Sequence, residues 1–156
     1  MPSLADFQST SIKMLLCGKP GTGKTGSLVS ILDADPEARL FICNFDKGNI
    51  GTLLNVARFN PTNGQPRPNA ASILSRIQYH DFQDPVKSVN GIPMVVGTPS
   101  AFTGVGKVLN DWGDGFGGLS SWGPKDWLVI DSVTALGESG LRYALNSNRR
   151  LNQRPQ

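Results

Sequence analysis

Short apolar runs alternate along the chain with stretches whose apolar residues recur every three or four positions. The first pattern reads as buried strand and the second as amphipathic helix. Residues 12–17 (Ile-Lys-Met-Leu-Leu-Cys) form the first strand-length run, after a polar lead-in over 1–11. Residues 26–32 can continue as a helix, which Pro36 stops after Asp33-Ala34-Asp35. Residues 39–45 give a second strand, closed by the turn triplet Asp46-Lys47-Gly48. A short helix is expected over 50–59, with Leu53, Leu54, Val56 and Ala57 on its buried side. Pro61, Gly64, Pro66 and Pro68 make 60–69 a surface loop. Ile77 and Tyr79 alternate with polar neighbours, so a third strand is placed at 76–80. Residues 81–100 read as irregular, with 93–96 able to pair as an extra strand. Phe102, Val105, Val108, Leu109 and Trp112 stand at helical spacing and predict a helix over 101–112, before a glycine-rich loop at 113–123. A buried strand is expected at 127–132 and a helix over about 137–146. The basic, polar residues 148–156 read as a frayed terminus.

Strands that alternate with helices imply an α/β fold, a mostly parallel sheet with helices on both faces. Ligands in such sheets bind at the carboxyl ends of the strands. That rule brings Asp46 and Asp131, each just after an apolar run, to one edge of the sheet.

The chemistry at that edge is set by Gly18-Lys19-Pro20-Gly21-Thr22-Gly23-Lys24-Thr25, a G-x-x-x-x-G-K-T sequence between a strand-like and a helix-like segment. This is the phosphate-cradling P-loop pattern in its required setting. Glycines at 18, 21 and 23 let the backbone curl close to an anion. The curled loop and the helix start, through Gly26, aim N–H groups at phosphate. Lys24 is expected to reach the β- and γ-phosphates of ATP, and Thr25 to hold Mg²⁺ through its hydroxyl. Pro20 stiffens the loop and donates no N–H. The competing reading is a glycine-rich turn that matches by accident. Asp131 follows four apolar residues, Trp127-Leu128-Val129-Ile130, and reads as the Walker B acid of the Mg²⁺ shell; a turn carboxylate at a strand end is the alternative.

Residues 128–136 (Leu-Val-Ile-Asp-Ser-Val-Thr-Ala-Leu) resemble the Walker B segment of RecA-like ATPases, where an Asp-Ser pair follows the strand. With the P-loop and the strand ending at Asp46, the chain looks most like small phage-encoded P-loop ATPases of the AAA_24 type, relatives of RecA-like single-strand annealing proteins. The resemblance spans roughly residues 11–146 and implies one nucleotide-binding domain over 12–147. It implies Mg²⁺-dependent ATP hydrolysis linked to phage DNA recombination or annealing, possible homo-oligomers, and single-stranded DNA as a partner in the host cytoplasm. It also implies a carboxylate after the second strand that polarises the attacking water. Asp46 stands at that position and is one methylene shorter than the usual Glu; closing a turn is its other reading. The family's core continues past the last helix into further strands, and nothing strand-like follows Leu145, so the C-terminal strands are expected to be missing.

Composition narrows the picture without redirecting it. The 156 residues suffice for one domain with a core. No apolar run approaches the roughly 20 residues of a membrane span, and the first seven residues lack the pattern of a secretory signal. Cys17 and Cys43 read as two buried thiols rather than a disulfide or metal pair. A single histidine, His80, argues against a histidine-based zinc site or triad. A net charge of +3 without a dense Lys/Arg cluster argues against tight non-specific DNA binding. Trp122, in the glycine-rich loop, is the candidate for base stacking, against a core role for Trp112 and Trp127. Arg149, Arg150 and Arg154 could touch phosphates or face a neighbouring subunit. Two other functions compete with the ATPase: a nucleotide-binding module with little turnover, and a P-loop kinase for a small molecule. The 113–123 loop contains no arginine, which counts against a kinase lid there.

Overall fold

A row of Leu, Phe, Ile and Cys with no polar break is a strand for burial on both faces, and residues 40–43 are such a row. A computed structural model describes residues 14–19, 21–46 and 49–150. In chain order its elements are α1 (Lys24–Ser27), α2 (Val29–Ala34), β1 (Arg39–Asn44), α3 (Asn49–Arg58), α4 (Ala70–Leu74), β2 (Ile77–Asp81), β3 (Val86–Val89), β4 (Ile92–Val95), α5 (Ala101–Asn110), β5 (Asp126–Asp131) and α6 (Val133–Ser147). Strand β1 lies between two parallel partners, in the order β2-β1-β5. β3 and β4 form a separate antiparallel hairpin. Among the described residues no helix is long and apolar enough to cross a membrane.

The pleat of β1 divides its side chains between two cores. Leu40 and Ile42 join Leu28, Val29 and Leu32 of the first helices, Leu53 and Ala57 of α3, and Ile73 of α4. Phe41, Cys43 and Phe45 point the other way, toward Ala101 of α5, Trp112, and Ala135 and Leu136 of α6. Helices therefore cover both faces, as alternation predicted. Phe41 is fully buried, edge-on to Trp112 and Phe116 and stacked on Trp122 with centroids 4.0 Å apart. A buried aromatic of this kind contributes about 2–3 kcal/mol by area alone.

Several expectations change. Of the first predicted strand, residues 12 and 13 lie outside the described residues. Met14 to Cys17 form no ladder with described residues, and Met14, Leu15 and Leu16 are exposed. An apolar run states a preference for burial but supplies no partner strand, and none of the described strands pairs with it. The helix after the P-loop is two short pieces joined at Leu28, which keeps a right-handed helical conformation. In the segment 81–100 the expected strand at 93–96 is the second strand of a full hairpin, whose Asn90 and Gly91 both take positive φ (53° and 78°), the geometry of a type I′ turn. The last helix starts at Val133, because Ser132 caps it by accepting the N–H of Ala135 at 3.3 Å. Phe102 is exposed and stacks on Tyr143 of α6 instead of entering the core. Trp122 packs in the second core on Phe41, where its ring is committed to the protein and cannot stack on bases. Cys17 is exposed and Cys43 buried, both as free thiols. Of the basic tail, 151–156 lie outside the described residues.

Candidate functional site

The P-loop curls because its glycines take conformations closed to other residues. Gly21 and Gly23 sit at φ 79° and 81°. At Gly18 a Cβ would lie 2.9 Å from Thr22 Oγ1. Thr22 Oγ1 donates to the Lys19 carbonyl at 2.9 Å, which closes the bend. Gly23 precedes the first turn of α1, and the Ser27 N–H returns to its carbonyl at 2.8 Å. The Lys24 ammonium folds back over the loop and donates to the carbonyls of Gly18 (2.8 Å) and Lys19 (2.9 Å). It thus lies at the mouth of the curl.

The acids arrive from the sheet. Asp131 ends β5 and pairs in register with Asn44, the last residue of β1. Its carbonyl accepts the N–H groups of Phe45 at 2.6 Å and Asp46 at 3.3 Å. Those bonds tie the chain leaving β1 to the end of β5 and set Asp46 beside Asp131. The Asp131–Ser132 peptide bond is cis. Across 106 residues of sequence, Thr25 Oγ1 donates to Asp131 Oδ2 at 2.8 Å. The P-loop hydroxyl and the strand-end carboxylate therefore share one point in space.

A cleft of about 550 Å³ gathers Gly18, Gly21, Gly23, Lys24, Thr25, Asp46 and Asp131. Lys19 and Thr22 shape the loop from outside the cleft lining, and Pro20 lies outside the described residues. Gly26 is buried behind the loop, where a Cβ would come 3.1 Å from Val56 of α3. It serves close helix packing rather than the cleft. Three hydroxyl residues that the sequence reading did not single out as ligands also line the cleft: Thr52 of α3, Ser132 and Thr134. Thr52 carries no sequence signal beyond standing next to the buried Leu53. The oxygens of Thr25 and Asp131 fit Mg²⁺, which takes hard oxygen donors and commonly one or two protein groups beside phosphate. Among the described residues no group of three His, Cys, Asp or Glu is placed to hold a metal, so a cage built wholly of such side chains is not the pattern here.

Asn44 is a further unforeseen member of this edge. It is 2% exposed and stands between Asp81 and Asp131 in the ladder. Its Nδ2 donates to the Asp81 carboxylate, which separates two like charges. Compared with known proteins, the chain matches no protein-family model, no curated protein and no solved structure.

Proposed function

We propose that this chain is a P-loop NTPase of RecA-like type that binds ATP with Mg²⁺ and hydrolyses it. The observation that carries the reading is the 2.8 Å hydrogen bond from Thr25 to Asp131 inside the cleft that also holds Lys24. A glycine-rich turn that matched by accident would have no reason to face a strand-end acid.

Each residue then has a chemical role. The P-loop amides and the Lys24 ammonium bind the phosphates, the ammonium by exchanging its two carbonyl partners for phosphate oxygens. Thr25 and Asp131 would hold Mg²⁺, which would supply positive charge against the phosphates. The Asp46 carboxylate orients the attacking water and accepts its proton. The coupling of hydrolysis to single-stranded DNA in recombination or annealing rests on the resemblance alone.

Nucleotide titration and hydrolysis assays test this directly. Lys24→Ala should weaken ATP binding by about 10- to 100-fold, the value of a charge-assisted contact. Asp131→Asn should remove the Mg²⁺ dependence of binding. Asp46→Asn should bind ATP normally and lose turnover by at least about 100-fold. Unchanged binding in Lys24→Ala would overturn the P-loop assignment. Binding without turnover in the parent chain would replace the ATPase by a binding module. Hydrolysis indifferent to single-stranded DNA would remove the link to recombination.

A further inference from the structure

A second cavity, of about 290 Å³, opens at the same carboxyl edge of the sheet. Phe45 and Phe82, the residues just beyond β1 and β2, line it. Their rings stack with centroids 5.4 Å apart, and both are more than nine-tenths buried. Asp84 lines it too and is 4% exposed. Its Oδ1 accepts the N–H groups of Ser100 (2.8 Å) and Ala101 (3.0 Å) at the start of α5. Among the described residues its Oδ2 has no hydrogen-bond partner. A buried carboxylate oxygen left without a donor is costly, and native structures rarely tolerate one without a reason.

The charge in the wall points the same way. Among the described residues that line it, Asp46, Asp84 and Glu138 are carboxylates and Arg142 the one cation. Arg142 already meets Glu138 at 3.6 Å along α6. Asp84 therefore leaves an acidic wall beside an apolar, aromatic one. An acid with a buried, unpartnered oxygen next to aromatic rings suits a cation that carries N–H donors, since the ring faces attract positive charge. An anion would meet the surplus of carboxylates. A hydrated metal ion would find hydrocarbon where it needs oxygen.

We propose that this cavity binds a compact organic cation with N–H donors, an alkylammonium or guanidinium group, through Asp84 and the two phenylalanine rings. Asp46 lines both this cavity and the nucleotide cleft, so the cation lies next to the phosphate site. The proposal does not need ATP to bind there.

Amide NMR of the nucleotide-free chain, titrated with methylguanidinium chloride against sodium chloride at matched ionic strength, tests it. Saturable shifts of the Ser100, Ala101 and Ser139 amides are expected with methylguanidinium alone. Asp84→Asn should weaken that binding by about tenfold or more, the loss of a charge-assisted bond. Because Asp84 also caps α5, a second variant guards the test. Val86→Trp changes an exposed strand residue at the cavity and should block it by filling. Shifts that sodium chloride reproduces, or an affinity unchanged in both variants, would overturn the proposal. The titration contains no nucleotide, so its failure leaves the ATP reading untouched, and the converse holds.

Discussion

At the scale of single residues, the two cysteines differ in everything but their apolar sequence surroundings. Cys43 is fully buried in β1, and burial pushes its thiol up to about 11. Cys17 is exposed and precedes Gly18 of the P-loop. A thiol reagent at pH 8 should therefore modify Cys17 quickly and Cys43 only after unfolding. MgATP should slow the reaction at Cys17 several-fold, because a phosphate in the loop closes the approach beside Gly18. Mass spectrometry of timed samples reads both effects, and equal rates for the two thiols would contradict the buried position of β1. The same shift has a consequence in alkali. An unfolded Cys43 loses its proton near 9.0, the folded one only near 11. The folded state then binds more protons between those values, so stability falls as pH rises through that window, by at most about 3 kcal/mol.

At the scale of elements, the segment that leaves α5 shows how a loop becomes core. Trp112 N–H bonds to the Gly117 carbonyl at 2.9 Å, and the Phe116 N–H to Gly113 at 3.0 Å, so the chain folds back and delivers Phe116 and Trp122 to Phe41. The fold-back passes so close to α5 that a Cβ on Gly118 would lie 2.1 Å from the Asn110 carbonyl oxygen. Backbone must move to admit it. Gly118→Ala should cost about 2–3 kcal/mol, a fall in Tm of roughly 5–10 °C for a chain of this size. Gly137→Ala, inside α6 with nothing within 4 Å of its Cβ, should stabilise by up to about 1 kcal/mol. Thermal unfolding of the two variants gives opposite signs or the packing argument fails. What the sequence made legible divides along the same line. β1 and β5 were readable because continuous apolar runs of strand length have few other uses, and α3 and α5 because ten residues suffice to show a helical period. α4, with five, does not. Of the hairpin, the second strand is legible as the expected pairing segment 93–96, which the structure places at Ile92–Val95; the first strand, Val86–Val89, is exposed throughout and carries no burial pattern that would mark it. Trp122's partner Phe41 was not legible, because a glycine-rich stretch reports freedom of the backbone and says nothing about where that backbone returns. At the candidate site, the curl of the glycine-rich loop was legible because its backbone geometry is local. Asp46 and Asp131 could be placed by the sheet rule. Asn44 and Thr52 could not, since their roles exist only across strands or between elements.

At the scale of the whole molecule, the sheet has a structural end and a chemical end. At the amino end, Arg39 and Asp126 form the first register pair of β1 and β5 and bond twice, at 2.7 and 2.9 Å. Lys125 pairs with Asp35, and Arg76 donates to the carbonyls of Asp35 and Ala38. The carboxyl end carries Asp81, Asn44, Asp46 and Asp131 close together, with Asn44 bonded to Asp81 and Thr25 to Asp131. Burial alone would push the Asp126 carboxyl up, but the Arg39 guanidinium and the Gly123 N–H together hold it below its ordinary 3.8. Its side chain is 2% exposed, so removing Arg39 leaves a nearly buried acid without its cation. Arg39→Met should cost about 1–3 kcal/mol near neutral pH, discounted because Arg39 itself is partly exposed. The sign with pH follows from the lowered carboxyl. Its contribution is full above 3.8 and is lost as pH falls through the lowered native value, so parent and variant should converge in stability in acid. ATP affinity should be the same in both at neutral pH, because the substitution lies at the far end of the strands. Thermal unfolding from neutral to acid pH, with one nucleotide titration per protein, decides the matter. A variant that keeps its Tm but loses ATP binding would mean the two ends of the sheet are coupled through β1, and the division of labour argued here would be wrong.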